Sequence, residues 1–170
     1  MPTLTPVDQP EFQTAIHYIA ARLRESEWAP HFIIGVGRGG LTPAVYLSHA
    51  SGCPMLSVDY SSAVPDFAAE LLVKLAKRST AERMLFVDDI NDSGSTIAHL
   101  RAELIAAGAE MGNIRFAVLI DNVVSKERVD YRFRTIDRSV NKDWFVFPWE
   151  AVAPVEKVVE DSAVMPARLA

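Results

Sequence analysis

The sequence predicts an α/β fold, with a mainly parallel twisted sheet flanked by helices, and three observations support this. Short apolar runs alternate with segments whose apolar residues recur at helical spacing. Glycine-containing turns lie between two of the apolar runs and the helices that follow them. No internal repeat, low-complexity tract or linker divides the chain. Such alternation is typical of parallel strands joined by crossover helices, here within a single domain over residues 1–170.

The elements are predicted in a regular order. The strands are Phe32–Val36, Met55–Tyr60, Met84–Val87, Ile114–Ile120 and Tyr131–Ile136. The helices are Pro10–Ser26, with Pro10 in its first turn, Leu41–Ala50, closed by Gly52, and Ser95–Ala107, closed by Gly108. Ser61–Asp66 is predicted to be a loop, and Ala68–Lys77 is either a helix or part of a mobile lid with it.

Composition narrows the class of protein. The 170 residues are 49% hydrophobic and 23% charged, which suffices for a buried core, and the net charge of −5 argues against broad binding to nucleic acid. Cys53 is the only cysteine, so neither an intramolecular disulfide nor a cysteine-rich metal site can form. No apolar run approaches the ~20 residues of a membrane span, and the N-terminus lacks a secretory pattern. We therefore expect a cytoplasmic protein without a membrane partner.

The most informative segment is Met84–Leu100, MLFVDDINDSGSTIAHL. Asp88 and Asp89 follow an apolar strand, at the sheet edge where ligands of open α/β proteins bind. The turn that opens the next helix consists of Asp92, Ser93, Gly94, Ser95 and Thr96. Its N–H groups and hydroxyls suit a phosphate, and neighbouring carboxylates suit sugar hydroxyls. The alternative, carboxylates that only cap the helix, explains Asp92 or Ser93 but not the Asp88–Asp89 pair.

A glycine-rich turn forms the second motif, in Phe32–Gly40, FIIGVGRGG. Here a strand ends in glycines and opens a helix. Glycines let the backbone approach an anion closely, and Arg38 supplies positive charge. Taken alone, a glycine turn at this place also serves plain packing.

At VDDINDSGST the chain resembles the 5-phosphoribosyl-1-pyrophosphate (PRPP) signature of type I phosphoribosyltransferases, over about a dozen contiguous positions. The resemblance extends over about Phe32 to Glu150. It implies a Mg²⁺-dependent enzyme that transfers the phosphoribosyl group of PRPP to a nitrogenous base and releases pyrophosphate. It also implies a homo-oligomer, either a dimer or a tetramer.

The resemblance also implies roles for both motifs. Asp88 and Asp89 would hold the ribose hydroxyls, directly or through metal-bound water, and Ser93–Thr96 would seat the 5′-phosphate. The residues implied to bind pyrophosphate are Gly37, Arg38, Gly39 and Gly40. A non-proline cis peptide often lies in this loop of the family, which corresponds to the Gly37–Arg38 bond. Residues 61–77 would close over the site to exclude water, while a static surface loop is the equal alternative for Ser61–Asp66.

Asp92 indicates the branch of the family. The 6-oxopurine members carry an aspartate here, whereas orotate, adenine and uracil members lack it. The resemblance thus implies purine salvage, with Asp92 handling the proton at purine N7 as N9 bonds to ribose C1. A helix-capping aspartate is the alternative.

Lys142–Glu150, KDWFVFPWE, is similar to the hood of the xanthine–guanine branch, here about residues 137–151. Trp144 would stack on the base, and the main chain of Phe145 would read its edge. Phe147 and Trp149 are interpreted as a hydrophobic lid over the sheet edge. Glu150 is either near a second magnesium or an ordinary surface glutamate.

The chain departs from the branch at one position. The family usually has a lysine, which binds the exocyclic O6, at the end of the strand Phe116–Ile120. This chain has Asp121 or Asn122 there, and Lys126 comes a few residues late. Asn122 could donate a neutral hydrogen bond to a carbonyl. Two other functions therefore stay open: a non-catalytic regulator that senses PRPP or a nucleotide, and a transferase acting on a non-purine base or an amine.

Overall fold

The computed structural model describes residues 3–60 and 68–163. Its strands are β1 (Leu4–Pro6), β2 (Phe32–Val36), β3 (Met55–Val58), β4 (Met84–Asn91), β5 (Ile114–Asn122), β6 (Tyr131–Ile136) and β7 (Trp144–Val146). Its helices are α1 (Gln9–Glu25), α2 (Gly37–Ser51), α3 (Ala69–Arg78), α4 (Ser95–Ala106) and α5 (Val155–Ser162), with a short 3-10 helix at Met111–Asn113. None of these helices is long and apolar enough to cross a bilayer.

The main sheet has five parallel strands in the order β3-β2-β4-β5-β6. Each face of the sheet is covered by helices. On one face, α1 and α2 bury a cluster that includes Phe12, Ile16, Ile19, Leu47 and Leu85. On the other, α3 and α4 bury a cluster that includes Leu72, Leu75, Phe86, Leu100 and Leu104. The predicted α/β class, a parallel sheet flanked by helices, is confirmed.

Strand β4 is longer than its apolar core. The sequence predicted an end at Val87, but the strand continues to Asn91. The extension pairs with β5, Asp88 opposite Val118 and Asn91 opposite Asp121. Because the neighbouring strand β5 is nine residues long, it supplies backbone partners beyond the apolar run. The two acidic residues therefore lie within the strand and not after it.

The turn from β2 into α2 also differs from prediction. The expected break at Gly37–Gly40 is the first turn of α2. The expected cis bond between Gly37 and Arg38 is wrong, because no cis peptide bond occurs in residues 3–60 and 68–163. The chain changes direction instead at Gly37, whose φ of +54° lies in the left-handed region that favours glycine.

A second, two-stranded parallel sheet carries the hood. Strands β1 and β7 pair with Thr5 opposite Phe145. Phe145 and Phe147 are buried, and the ring of Phe147 stacks on that of Trp149 with centroids 4.9 Å apart. Trp149 also meets the ring of Phe12 in α1 edge-on, at 5.3 Å. The hood is thus fixed to the rest of the molecule through the N-terminal strand and helix.

The predicted lid falls into two parts. Residues 61–67 lie outside the described ranges. The remainder is almost entirely α3, in which Leu72, Leu75 and Ala76 are buried against the second cluster. This part is a helix of the core.

Candidate active site

The turn after β4 forms a cavity of about 210 Å³, which is lined by Tyr60 and residues 88–97. Gly94 stands at the start of α4 with a φ of +90°. A Cβ there would lie 2.8 Å from the backbone nitrogen of Glu127, so glycine is needed for space as well as conformation. The N-cap residue of α4, Gly94, has no side chain that could accept a hydrogen bond, and the N–H of Ser95 donates to Oγ of Ser93 at 3.3 Å. The remaining N–H groups of the first turn can bind an anion in the cavity.

The two acidic residues of β4 occupy the floor between the motifs. Burial, and secondly the nearby carboxylate of Asp89, raise the pKa of Asp88 well above its ordinary value. The backbone N–H of Asp89 donates to Oδ1 of Asp88 at 3.0 Å. Negative charge is thus concentrated here, and a bound cation would relieve it.

The glycine turn packs directly against these carboxylates. A Cβ on Gly39 would lie 2.5 Å from Oδ2 of Asp89, and one on Gly40 would collide with the carbonyl oxygen of Val87. The two motifs, some fifty residues apart in sequence, therefore meet at one sheet edge. Only glycine leaves room for this contact.

These residues fit Mg²⁺ in a particular way. Within the described ranges, no three His, Cys, Asp or Glu side chains come together as a ligand set. Mg²⁺ does not require such a set, because it commonly binds through one or two carboxylates plus substrate phosphates. Asp88 and Asp89 offer two carboxylates on adjacent residues of β4. The donor chemistry therefore suits a metal that arrives with a phosphorylated ligand.

A larger cleft of about 590 Å³ lies between the glycine turn and the hood. Arg38, Asp89, Trp144 and Glu150 line it, together with α5, which the sequence did not predict. The backbone N–H of Phe147 donates to Oε2 of Glu150 at 3.1 Å. The pKa of Glu150 is raised above its ordinary value, chiefly because the carboxyl is buried. That hydrogen bond and the charge of Arg38 act in the opposite direction. Glu150 is therefore a cleft residue on the side of Arg38.

A small cavity of about 100 Å³ connects the carboxylates to the hood. It brings together five residues predicted for the site, Asp89, Asp92, Trp144, Phe145 and Glu150. It also contains Arg138, which the sequence analysis missed. An arginine in a polar stretch carries no sequence signal of burial, yet this side chain is only 3% exposed.

Arg138 holds the carboxylate of Asp92 with two hydrogen bonds. Its Nε donates to Oδ1 at 2.7 Å and its Nη2 to Oδ2 at 3.3 Å. Its Nη1 donates to the carbonyl of Asp143 at 2.6 Å. The residue at the start of α4 is Gly94, so Asp92 does not serve as the helix cap. Its carboxylate instead faces the cavity beside a buried guanidinium.

Asn122 lies beneath the cavity and does not line it. Its Nδ2 donates to the carbonyl of Asp92 at 2.8 Å, and its Oδ1 accepts the backbone N–H groups of Arg138 and Val124. The preceding Asp121 is also buried and accepts a hydrogen bond from Asn91 at 2.8 Å. Both residues at the position of the family's lysine are thus engaged in hydrogen bonds within the protein.

Comparisons with known proteins identify the family of this chain. The model of the phosphoribosyl transferase domain family matches residues 7–153. A xanthine-guanine phosphoribosyltransferase of Gluconobacter oxydans (strain 621H) is 29% identical over 137 residues, which are 78% of this chain and 76% of that protein.

Similar solved structures include two from other organisms. A purine phosphoribosyltransferase from Pyrococcus horikoshii superposes with a TM-score of 0.64 at 28% identity, over 89% of this chain and 97% of that one. A xanthine-guanine-hypoxanthine phosphoribosyltransferase of Helicobacter pylori shares the fold, with a TM-score of 0.64 at 18% identity, over 94% and 99% of the two chains. The resemblance inferred from the PRPP-like motif is confirmed, including its closeness to the 6-oxopurine branch. The chain therefore belongs to the type I phosphoribosyltransferase family of enzymes.

Proposed function

We propose that this enzyme transfers the 5-phosphoribosyl group of PRPP to a 6-oxopurine in a Mg²⁺-dependent reaction of purine salvage, with release of pyrophosphate. One observation carries the proposal. The carboxylate of Asp92 faces a cavity that it shares with the aromatic side chains of the hood and with Asp89. A flat heterocycle held there would lie beside the residues proposed to bind the sugar. The Gluconobacter and Pyrococcus relatives, both purine enzymes by name, support the same substrate class.

PRPP would extend across both motifs. Its 5′-phosphate fits the cavity at Ser93–Thr96, where backbone N–H groups and hydroxyls are available. Its ribose hydroxyls would bind Asp88 and Asp89, and its pyrophosphate would lie along the glycine turn with the charge of Arg38. Mg²⁺ held by the same two carboxylates and by PRPP oxygens would offset the charge of the leaving pyrophosphate. Glu150, across the cleft near Arg38, is the candidate for a second metal position.

The base would enter between the hood and β4. Trp144 offers its ring for stacking, and the main chain of Phe145 offers hydrogen bonds to the edge of the base. Asp92 would accept the proton at N7 as N9 approaches ribose C1. As the C1–O bond loosens, the sugar gains positive charge, which the carboxylates of β4 stabilise electrostatically. Asn122 would support Asp92 from below.

A panel of bases tests the proposal. We expect PRPP-dependent formation of nucleotide from hypoxanthine, guanine or xanthine, and none from orotate or uracil. Removal of Mg²⁺ with a chelator should abolish turnover, and its return should restore it. Binding of PRPP without turnover of any base would instead support a sensing regulator. Turnover confined to a non-purine acceptor would contradict the purine assignment.

A further inference from the structure

Arg138 has one more hydrogen-bond donor than the protein uses. A guanidinium carries five N–H groups. Nε and one N–H of Nη2 donate to Asp92, and Nη1 donates to the carbonyls of Asn141 and Asp143. Within the described residues, the second N–H of Nη2 makes no hydrogen bond. This donor belongs to a side chain that is only 3% exposed and that lines the cavity beside Asp92. A buried donor without a partner is costly unless a ligand supplies one.

We propose that Arg138 determines specificity, because its remaining N–H donates to the exocyclic oxygen of the base while Asp92 accepts the neighbouring N–H. This inference rests on the proposed function. The protein presents an acceptor and a donor side by side, which complements an N–H next to a C=O. A 6-oxopurine protonated at N7 offers that pair on one edge. A 6-aminopurine directs its own N–H groups towards the guanidinium, and two donors then face each other.

The surroundings of Arg138 hold this donor in place. Its backbone N–H donates to Asn122 at 3.1 Å, and Nη1 is bound to main-chain carbonyls of the hood. Its guanidinium carbon lies 5.4 Å from the centroid of the Phe145 ring. The side chain is therefore fixed at both ends, and little rotamer freedom is lost when a base binds.

The experiment is a double-mutant-type cycle in which one side chain of the enzyme and one group of the base are removed, singly and together. The kcat/KM for hypoxanthine and for unsubstituted purine is measured with the wild type and with Arg138→Met. Purine lacks the exocyclic oxygen, so the wild type should prefer hypoxanthine by about 100-fold or more. In Arg138→Met this preference should shrink at least about tenfold, because the oxygen has lost its donor. The affinity for PRPP, measured by calorimetry without a base, should change by less than about threefold.

Arg134→Met is the matched control. The guanidinium carbon of Arg134 lies 4.8 Å from the same Phe145 ring, and its Nη1 pairs with Glu11 at 2.6 Å, but it does not line the cavity. Its loss should lower the melting temperature without changing the preference for hypoxanthine over purine. The wild type alone gives a second measurement, in which adenine should be used less well than unsubstituted purine.

The outcomes separate the two proposals. Wild-type turnover of hypoxanthine with an unchanged preference in Arg138→Met overturns the role of Arg138 alone. Should that variant fail to fold, equal wild-type use of adenine and hypoxanthine overturns it, and rejection of adenine below purine supports it. A wild type that uses no 6-oxopurine overturns both proposals.

Discussion

At the scale of single residues, the ion pair between Asp92 and Arg138 changes what Asp92 is expected to do. The side chains are 13% and 3% exposed, and the two groups share two hydrogen bonds. A carboxylate held in this way keeps lone pairs for a ligand, since each oxygen can accept more than one hydrogen bond. Asp92 can therefore accept a hydrogen bond from a ligand while Arg138 holds its carboxylate.

Asp92→Asn should lose both rate and stability. Loss of the proton acceptor should lower turnover of a 6-oxopurine by about 10²–10⁴-fold. A helix-capping role would let asparagine replace aspartate at little cost. The ion pair predicts the opposite, because breaking a buried pair costs about 3–5 kcal/mol of unfolding free energy. Urea unfolding and steady-state rates on one preparation measure both effects.

Glu11→Gln is the control for this variant. It breaks the pair with Arg134, in which both side chains are 33% exposed, and should cost less than about 1 kcal/mol without changing the rate. A normal rate in Asp92→Asn would remove Asp92 from the chemistry.

At the scale of elements, the contact between the glycine turn and β4 ties one motif to the other. Gly39 leaves the space that the carboxylate of Asp89 occupies. Because this neighbour is the end of a side chain, it can move, whereas the neighbour of Gly40 is the backbone of Val87. The two glycines are therefore required for different reasons.

Gly39→Ala should fold but bind PRPP poorly. The new methyl group would displace the Asp89 carboxylate, and a displacement of about 1 Å at a reacting site can cost about 100-fold. We expect kcat/KM for PRPP to fall about 10- to 100-fold, with a melting temperature near that of the wild type. Gly112→Ala is the control, since its Cβ would meet only Oε1 of Glu110, at 3.3 Å. An unchanged kcat/KM for PRPP would show that Asp89 does not need its present position.

The elements with strong local patterns could be predicted from the sequence. Strands β2 and β6 begin and end where their apolar and β-branched residues predict. The three-residue strands β1 and β7 are too short for any periodicity. The extension of β4 depends on pairing with β5, and the burial of Arg138 depends on carbonyls of the hood. Neither can therefore be predicted from the local sequence. The glycine turn and β4 meet at one sheet edge, while the contacts that support them arise only from the tertiary fold.

At the scale of the whole molecule, the acidic floor of the site opposes folding. Asp88 has a raised pKa because burial and the charge of Asp89 disfavour its ionised form. In the unfolded chain its pKa is ordinary. Above the ordinary pKa, the folded state is therefore the one that bears the cost of ionisation, and acidification towards the raised pKa relieves it.

Asp88→Asn should therefore be more stable than the wild type in Mg²⁺-free buffer at neutral pH. Each kcal/mol gained corresponds to about 2–4 °C in melting temperature for a chain of this size. The difference should shrink as the pH falls, because the wild-type carboxyl becomes protonated. Thermal unfolding of both proteins between pH 8 and about pH 4, near the ordinary pKa of an aspartate, measures it. A difference that stays constant with pH would contradict the assignment, and the variant should in any case lose turnover.

The parallel pairing of β1 with β7 has a consequence for how the protein is made. Thr5 donates to Asp143 at 2.9 Å across 138 positions of the chain, and the carbonyl of Asp143 is the one that holds Arg138. During synthesis β1 is translated before every strand of the main sheet, and its partner β7 is translated after all of them. The small cavity at Asp92 is therefore completed late, after the strands of the main sheet have been translated. Any property that depends on this cavity therefore appears only after residues 144–146 have been translated.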